Sequence, residues 1–244
     1  MASSREIKAL IINRELTPAM RSKLQSILPL PLIETEESDT YYPVNLHPDL
    51  QFHRICDTLI ASSSVSDQII DQIRGISDIN IVKTNSRIGK TYPDNISLCA
   101  FSDHSILIHR IDRTDPGILS LAKDNDLRIL HVKQGYSACT TLCVDDLYIT
   151  NDRITEKSLI NNGFPVLYLE SGGIRLPSFD TGFIGGSMKY IEYGNRTFLL
   201  AFGNFDSYVF SGKIREFLKR NGRYHEIVSL SDEPLQDFGG IITL

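Results

Sequence analysis

The residues whose types could do chemistry lie in short polar clusters, each just ahead of an apolar run. These clusters are His47-Pro48-Asp49, Tyr92-Pro93-Asp94-Asn95, Lys133-Gln134-Gly135-Tyr136, Pro177-Ser178-Phe179-Asp180 and Gln236-Asp237-Phe238-Gly239-Gly240. Carboxylates such as Asp49, Asp94, Asp180 and Asp237, gathered at one mouth, favour a cation such as a guanidinium or an amine. Lys133 adds an anchor for a carboxylate, and His47 and Tyr136 add polar contacts. Together they suit a small amino-acid-like molecule with one positive and one negative end. Against this stands the ordinary work of a turn aspartate, which is to cap its own turn.

Cys139 follows the Lys133 cluster. A lysine or histidine nearby would lower its pKa and make it a nucleophile. The competing reading is a small buried apolar residue. Cys139 and Cys143 are four apart in an expected strand and so share a face. Cys56 and Cys99 read as strand-core cysteines. No Cys or His spacing resembles a structural zinc site, so no metal and no cofactor is expected. His47 with Asp49, or His104 with His109, would hold a metal only through tertiary convergence.

Two motifs are discounted. Asp180-Thr181-Gly182 mimics an aspartic-protease signature, but that chemistry needs a second carboxylate of the same kind, and no second copy exists. Gly89-Lys90-Thr91 resembles the end of a phosphate-binding loop, but Thr84 stands where a glycine is required and Pro93 follows where a helix should begin. The glycines from Gly172 to Gly186 allow close backbone approach to a ligand or to a neighbouring strand.

Five helices are expected around these clusters. They run from Thr17 to Leu28, from the Ser62–Ser64 run to Gly75, from Asp115-Pro116 through Ala122, from Asn151 to Gly163, and from Asp206 to Arg220. Apolar runs precede them at Ala9–Ile12, Ile55–Ala61, Ile106–Ile108, Leu147–Thr150 and Thr197–Phe202. A further strand follows each helix. The order is a repeat: polar cluster, strand, strand, helix, strand. The last copy lacks its second half, and the missing strand and helix lie at Arg5 to Leu28. Pairing the two chain ends would close a ring and remove exposed edges. In such a ring the clusters converge on a central channel. An open α/β sheet with five helices is the alternative.

That repeat resembles the pentein, or α/β-propeller, fold of the guanidino-group-modifying enzymes. These include arginine deiminase, agmatine deiminase, dimethylarginine hydrolase and the amidinotransferases. His131 to Cys139, Phe179 to Gly186, His47-Pro48-Asp49 and Asp237 to Ile242 look like an uncharacterised bacterial family assigned to this fold. The resemblance covers nearly the whole chain. It implies a single α/β domain over residues 1–244, with five strand-strand-helix-strand units closed by the N- and C-terminal segments. The characterised enzymes use a cysteine thiolate, a histidine acid–base and carboxylates that hold the cation. Here Asp237-Phe238-Gly239-Gly240 is followed by no cysteine, and Ser178 stands where the histidine would be. The standard machinery is therefore not evident. A small cationic amino-acid-like ligand in the channel is one expectation, with Cys139 as the weak catalytic candidate. A non-catalytic interaction protein is the other, because a ribosome anti-association factor also uses the ring.

The 244 residues carry a formal charge of −5, with 41% hydrophobic and 23% charged residues. These values suit a folded globular chain. The mild acidity argues against a nucleic-acid or anionic-membrane partner held by bulk charge. There is no apolar run long enough for a membrane span. Residues 1–6 lack an apolar signal core, and the cysteines make no disulfide framework, so the cytoplasm is the expected location.

Overall fold

A computed structural model describes residues 6–85 and 87–244. Residues 1–5, most of the segment read for a leader, lie outside the described residues. Along the chain come β1 (Leu10–Ile12), α1 (Pro18–Ile27) and β2 (Leu32–Glu34), then α2 (Pro48–Gln51), β3 (Phe52–Ile55), β4 (Thr58–Ala61), α3 (Asp67–Ile76) and β5 (Asn80–Lys83). Next are β6 (Phe101–Ser102), β7 (Ile106–His109), α4 (Pro116–Asp124) and β8 (Arg128–His131). They are followed by α5 (Ser137–Thr140), β9 (Thr141–Val144), β10 (Leu147–Thr150), α6 (Arg153–Asn161) and β11 (Val166–Tyr168). The last are α7 (Ile184–Ser187), β12 (Met188–Tyr193), β13 (Arg196–Ala201), α8 (Ser211–Arg220), β14 (Glu226–Ser229) and β15 (Ile242–Thr243).

The strands form five three-stranded sheets, each of one pattern. A first strand pairs antiparallel with a second, which pairs parallel with a third across a helix. In β3–β4–β5, for example, Phe52 faces Ala61 and Thr58 lies beside Asn80. The fifth sheet is built from both chain ends: Leu10 of β1 pairs with Thr243 of β15 on one side and with Leu32 of β2 on the other. The sheets stay separate, with no continuous hydrogen-bonded barrel among the described residues.

Apolar contacts between units, rather than sheet pairing, hold the ring. Leu10, Met20 and Leu24 pack on Phe198, Leu200 and Val228 of the fourth unit. Ala9, Ile11 and Leu244 pack on Leu59 and Ile70 of the first. Ile55 and Ile60 meet Leu107 and Ile118 of the second, Ile108 and Leu130 meet Tyr148 and Leu159 of the third, and Ile149 and Leu169 meet Leu199 and Ile214 of the fourth. Each sheet is thus buried against both neighbours, which closes the circle. Second strands such as Thr58–Ala61 and Ile106–His109 are buried throughout. They read as short continuous apolar runs for that reason.

Local chemistry sets the helix ends. Thr17 and Asp152 accept from Met20 and Thr155 backbone N–H groups, and Asp115 caps the proline-led α4. Three boundaries differ from expectation. α8 begins at Ser211, because the Asn204 side chain accepts from Asp206 N and holds the preceding segment in a turn. The run from Ile55 to Ala61 is broken by a hairpin turn at Cys56-Asp57, with Cys56 at φ 48°. α3 continues through Gly75 to Ile76. Among the described residues, no helix is long and apolar enough to cross a membrane.

Candidate functional site

The polar clusters lie ahead of the first strands: Pro48 and Asp49 form the start of the single-turn helix α2, and the single turns α5 and α7 follow the Lys133 and Pro177 clusters. Glycine permits the turns to crowd together. A Cβ on Gly186 would overlap the Asp237 carboxylate, and one on Gly239, at φ +72°, would collide with His47. The result is a buried polar knot at the inner end of the ring, made of His47, Asp49, Cys99, Cys139 and Asp237.

Its geometry is tight. The Cys139 thiol donates to Asp49 Oδ2 at 2.7 Å, and its Sγ lies 3.8 Å from Cys99 Sγ. His47 Nδ1 is 3.9 Å from both Asp49 Oδ1 and Asp237 Oδ1. Asp237 accepts the backbone N–H groups of Phe183 and Gly239 at 2.9 and 3.0 Å. His47, Asp237 and Cys139 are 2–3% exposed and Asp49 6%. His47 Nδ1 and Asp49 Oδ1 are both buried without a hydrogen-bond partner among the described residues.

Burial decides the protonation of the knot. It pushes the Asp49 carboxyl up to about 8, with the Cys139 thiol pulling down and Asp237 pushing up. Burial also raises Asp237, against the pull of His47 and two backbone donors, and lowers His47, against the Asp237 charge. The bond with Cys99, then burial and the Asp49 charge, hold the Cys139 thiol well above the ordinary cysteine range. An uncharged thiol is a poor nucleophile.

An aromatic cover closes the outer side of the knot. Tyr41 and Tyr136 share a hydroxyl contact of 2.9 Å, Asn95 bonds Tyr136, and Phe183 and Leu176 pack beneath. Phe179 and Tyr92 extend the cover outward, with ring centroids 5.8 Å from Tyr41 and 5.7 Å from Tyr136. On the opposite side a channel of about 870 Å³ runs between the first strands and ends on Asp49. Its outer mouth is formed by hairpin turns carrying Asp103, Asp145, Asp146 and, on β12, Glu192. Arg223 bridges Asp145 and Asp146 there, at 3.1 and 2.7 Å.

The structure brings together His47, Asp49, Cys139 and Asp237 and places Tyr136 in the cover beside them. It does not bring in the other three. Asp94 is exposed and ion-paired with Arg113, Lys133 is exposed, and Asp180 is exposed in a shallow groove with Arg175 and Gln236. Cys139 and Cys143 do not share a strand, because Cys139 ends up on α5 and Cys143 on β9. Cys99 lies in a turn and Cys56 in an exposed hairpin, so neither is a strand-core residue.

Lys189, on β12, stands outside the polar clusters of the sequence. It lines the channel from β12, with no carboxylate within ion-pair distance among the described residues. Burial and the Arg54 charge pull its ammonium below the usual lysine range, while Cys143 and Asp49 oppose them. The available signal was the alternation in Met188-Lys189-Tyr190-Ile191-Glu192-Tyr193, which puts a lone cation among apolar strand residues.

A model of a family of unknown function, DUF6873, matches residues 11–242. This chain belongs to that family. No curated protein matches the sequence. Solved structures share the fold at low identity. A putative peptidyl-arginine deiminase aligns with TM-score 0.55 at 9% identity, over 98% of this chain and 96% of its own. A cysteine-to-serine mutant of DDAH from Pseudomonas aeruginosa, complexed with citrulline, aligns with TM-score 0.51 at 9% identity, over 92% and 93%. Agmatine deiminase from C. jejuni gives 0.50 at 10% identity, over 93% and 88%. The pentein-type propeller of the guanidino-group-modifying enzymes is thus the fold of this DUF6873 chain.

Proposed function

We propose that this protein binds a small amino-acid-like molecule with a guanidino or amino head in its central channel. The observation that carries the reading is Lys189, an ammonium on the channel wall with no ion-pair partner among the described residues. A ligand carboxylate would pair with it and, on a partly buried channel wall, gain more than at an open surface. The cationic head would then point to the mouth, where Asp146 and Glu192 are exposed. A structure of the same fold, a DDAH complexed with citrulline, holds a ligand of this size and amino-acid character.

The proposal stops at binding, because the Cys99 bond, burial and the Asp49 charge all disfavour a Cys139 thiolate. Chemistry by Cys139 would first require its proton to pass to Asp49 Oδ2, the atom it already faces. Calorimetric titration with arginine, agmatine and an uncharged analogue tests the proposal. Arginine should bind, agmatine should bind about tenfold more weakly for want of a carboxylate, and Lys189→Met should erase that difference. Equal binding of arginine and agmatine, or no binding of either, refutes it.

The second reading, a non-catalytic interaction protein, is favoured by the cover. Phe179 and Tyr92 are 47% and 44% exposed on one connected aromatic surface. Loss of a partner on Phe179→Ser, with channel binding intact, would support it.

A further inference from the structure

We propose that the buried knot is a binding site for a zinc-class divalent cation, held by His47 Nδ1, an Asp49 oxygen and the Cys139 sulfur, with Cys99 as a further sulfur donor. One donor atom from each of His47, Asp49 and Cys139 lies within 4.8 Å of the other two. Nitrogen, carboxylate oxygen and thiolate sulfur together are the ligand types of zinc rather than of calcium or magnesium. The sulfur spacing agrees. Two Zn–S bonds of about 2.3 Å at a tetrahedral angle set the sulfurs about 3.8 Å apart, and Cys99 and Cys139 are 3.8 Å apart.

A facing pair of unpartnered buried atoms points to a ligand at this spot. His47 Nδ1 and Asp49 Oδ1 are buried, face one another at 3.9 Å and have no hydrogen bond among the described residues. Leaving buried polar atoms unpaired costs about 1–3 kcal/mol each, and a shared cation would satisfy both. The surroundings suit such an ion. Asp237 stands 3.9 Å from the same imidazole nitrogen and is itself fixed by two backbone donors, so it would add negative charge without moving. The aromatic cover keeps bulk water off one side, and the channel ending on Asp49 is the entry path. On binding, the thiol protons would leave to solvent as the metal–sulfur bonds form. The inference does not depend on the channel ligand, whose contacts lie at Lys189 and the mouth.

The test is a cobalt(II) titration of the full-length protein after dialysis against a chelator, read by absorption, with zinc back-titration. One equivalent should bind with a thiolate-to-cobalt charge-transfer band and tetrahedral ligand-field bands, and zinc should abolish both. Cys139→Ser should remove most of the charge-transfer intensity, and His47→Ala should weaken binding by about tenfold or more. Cys56→Ser, at an exposed turn, should change nothing. The wild-type titration overturns the proposal without any variant if no charge-transfer band appears. Retention of the full band in Cys139→Ser also overturns it, as does its loss in Cys56→Ser.

Discussion

The two ends of the channel are built from similar residue types and behave oppositely. At the hairpin mouth, Asp145, Asp146, Arg223 and Glu192 are partly or fully open to solvent, and the acids are matched by a guanidinium, tyrosine or histidine. At the inner end, His47, Asp49, Cys99, Cys139 and Asp237 are buried together without a single cationic side chain among them. Water makes the difference. Exposed charges are screened and contribute little, whereas buried ones must neutralise, find hydrogen bonds or hold an ion. The mouth is thus suited to meeting a charged solute, and the inner end to holding something fixed.

Substitutions at the two ends should therefore differ in size. Asp237→Ala strips the Phe183 and Gly239 N–H groups of their acceptor in a buried site. Urea unfolding should show a loss of about 2–5 kcal/mol; a loss within error of zero would break the contrast. The second effect is a pH dependence from the buried histidines. Burial lowers His109 to about 4 and His53 to about 3. A depressed pKa means that the unfolded chain binds the proton first, so this stability is complete above about pH 6.5. It drains away as the pH falls toward 4 and then 3. His109, whose imidazole joins Thr114 and the Gly135 carbonyl, should account for about 3 kcal/mol of it. Unfolding midpoints for wild type and His109→Gln across pH 4 to 7 measure this, and parallel curves would contradict it.

Smaller effects sharpen the comparison. Tyr136→Phe loses a hydroxyl shared with Tyr41 and Asn95 and should cost about 1 kcal/mol. Arg223→Ala removes the mouth bridges to Asp145 and Asp146 and should cost under about 1 kcal/mol, less still at high salt. A larger loss from Arg223→Ala than from Asp237→Ala would invert the account.

The repeat was legible in the sequence because capping and periodicity are local. Thr17 with Pro18, Asp115 with Pro116 and Asp152 mark helix starts wherever they fall. His47, Asp49, Cys139 and Asp237 were legible as a group because each precedes a first strand, and the ring gathers those positions. Asp94, Lys133 and Asp180 occupy similar places along the chain but point outward, since the direction of a turn depends on packing that the clusters do not encode. Cys99 was hidden by the apolar residues around it, which read as a strand but fold as a turn. Lys189 was hidden because strand alternation tells which residues share a face, but not whether that face borders a core or a channel.

The most direct test is a crystal structure of the protein soaked with arginine. The proposed function predicts ligand density in the channel between the first strands, with the carboxylate about 3 Å from Lys189 Nζ and the guanidinium toward Asp146 and Glu192. Density confined to the Phe179–Tyr92 surface, or a ligand turned with its guanidinium on Lys189, would contradict it.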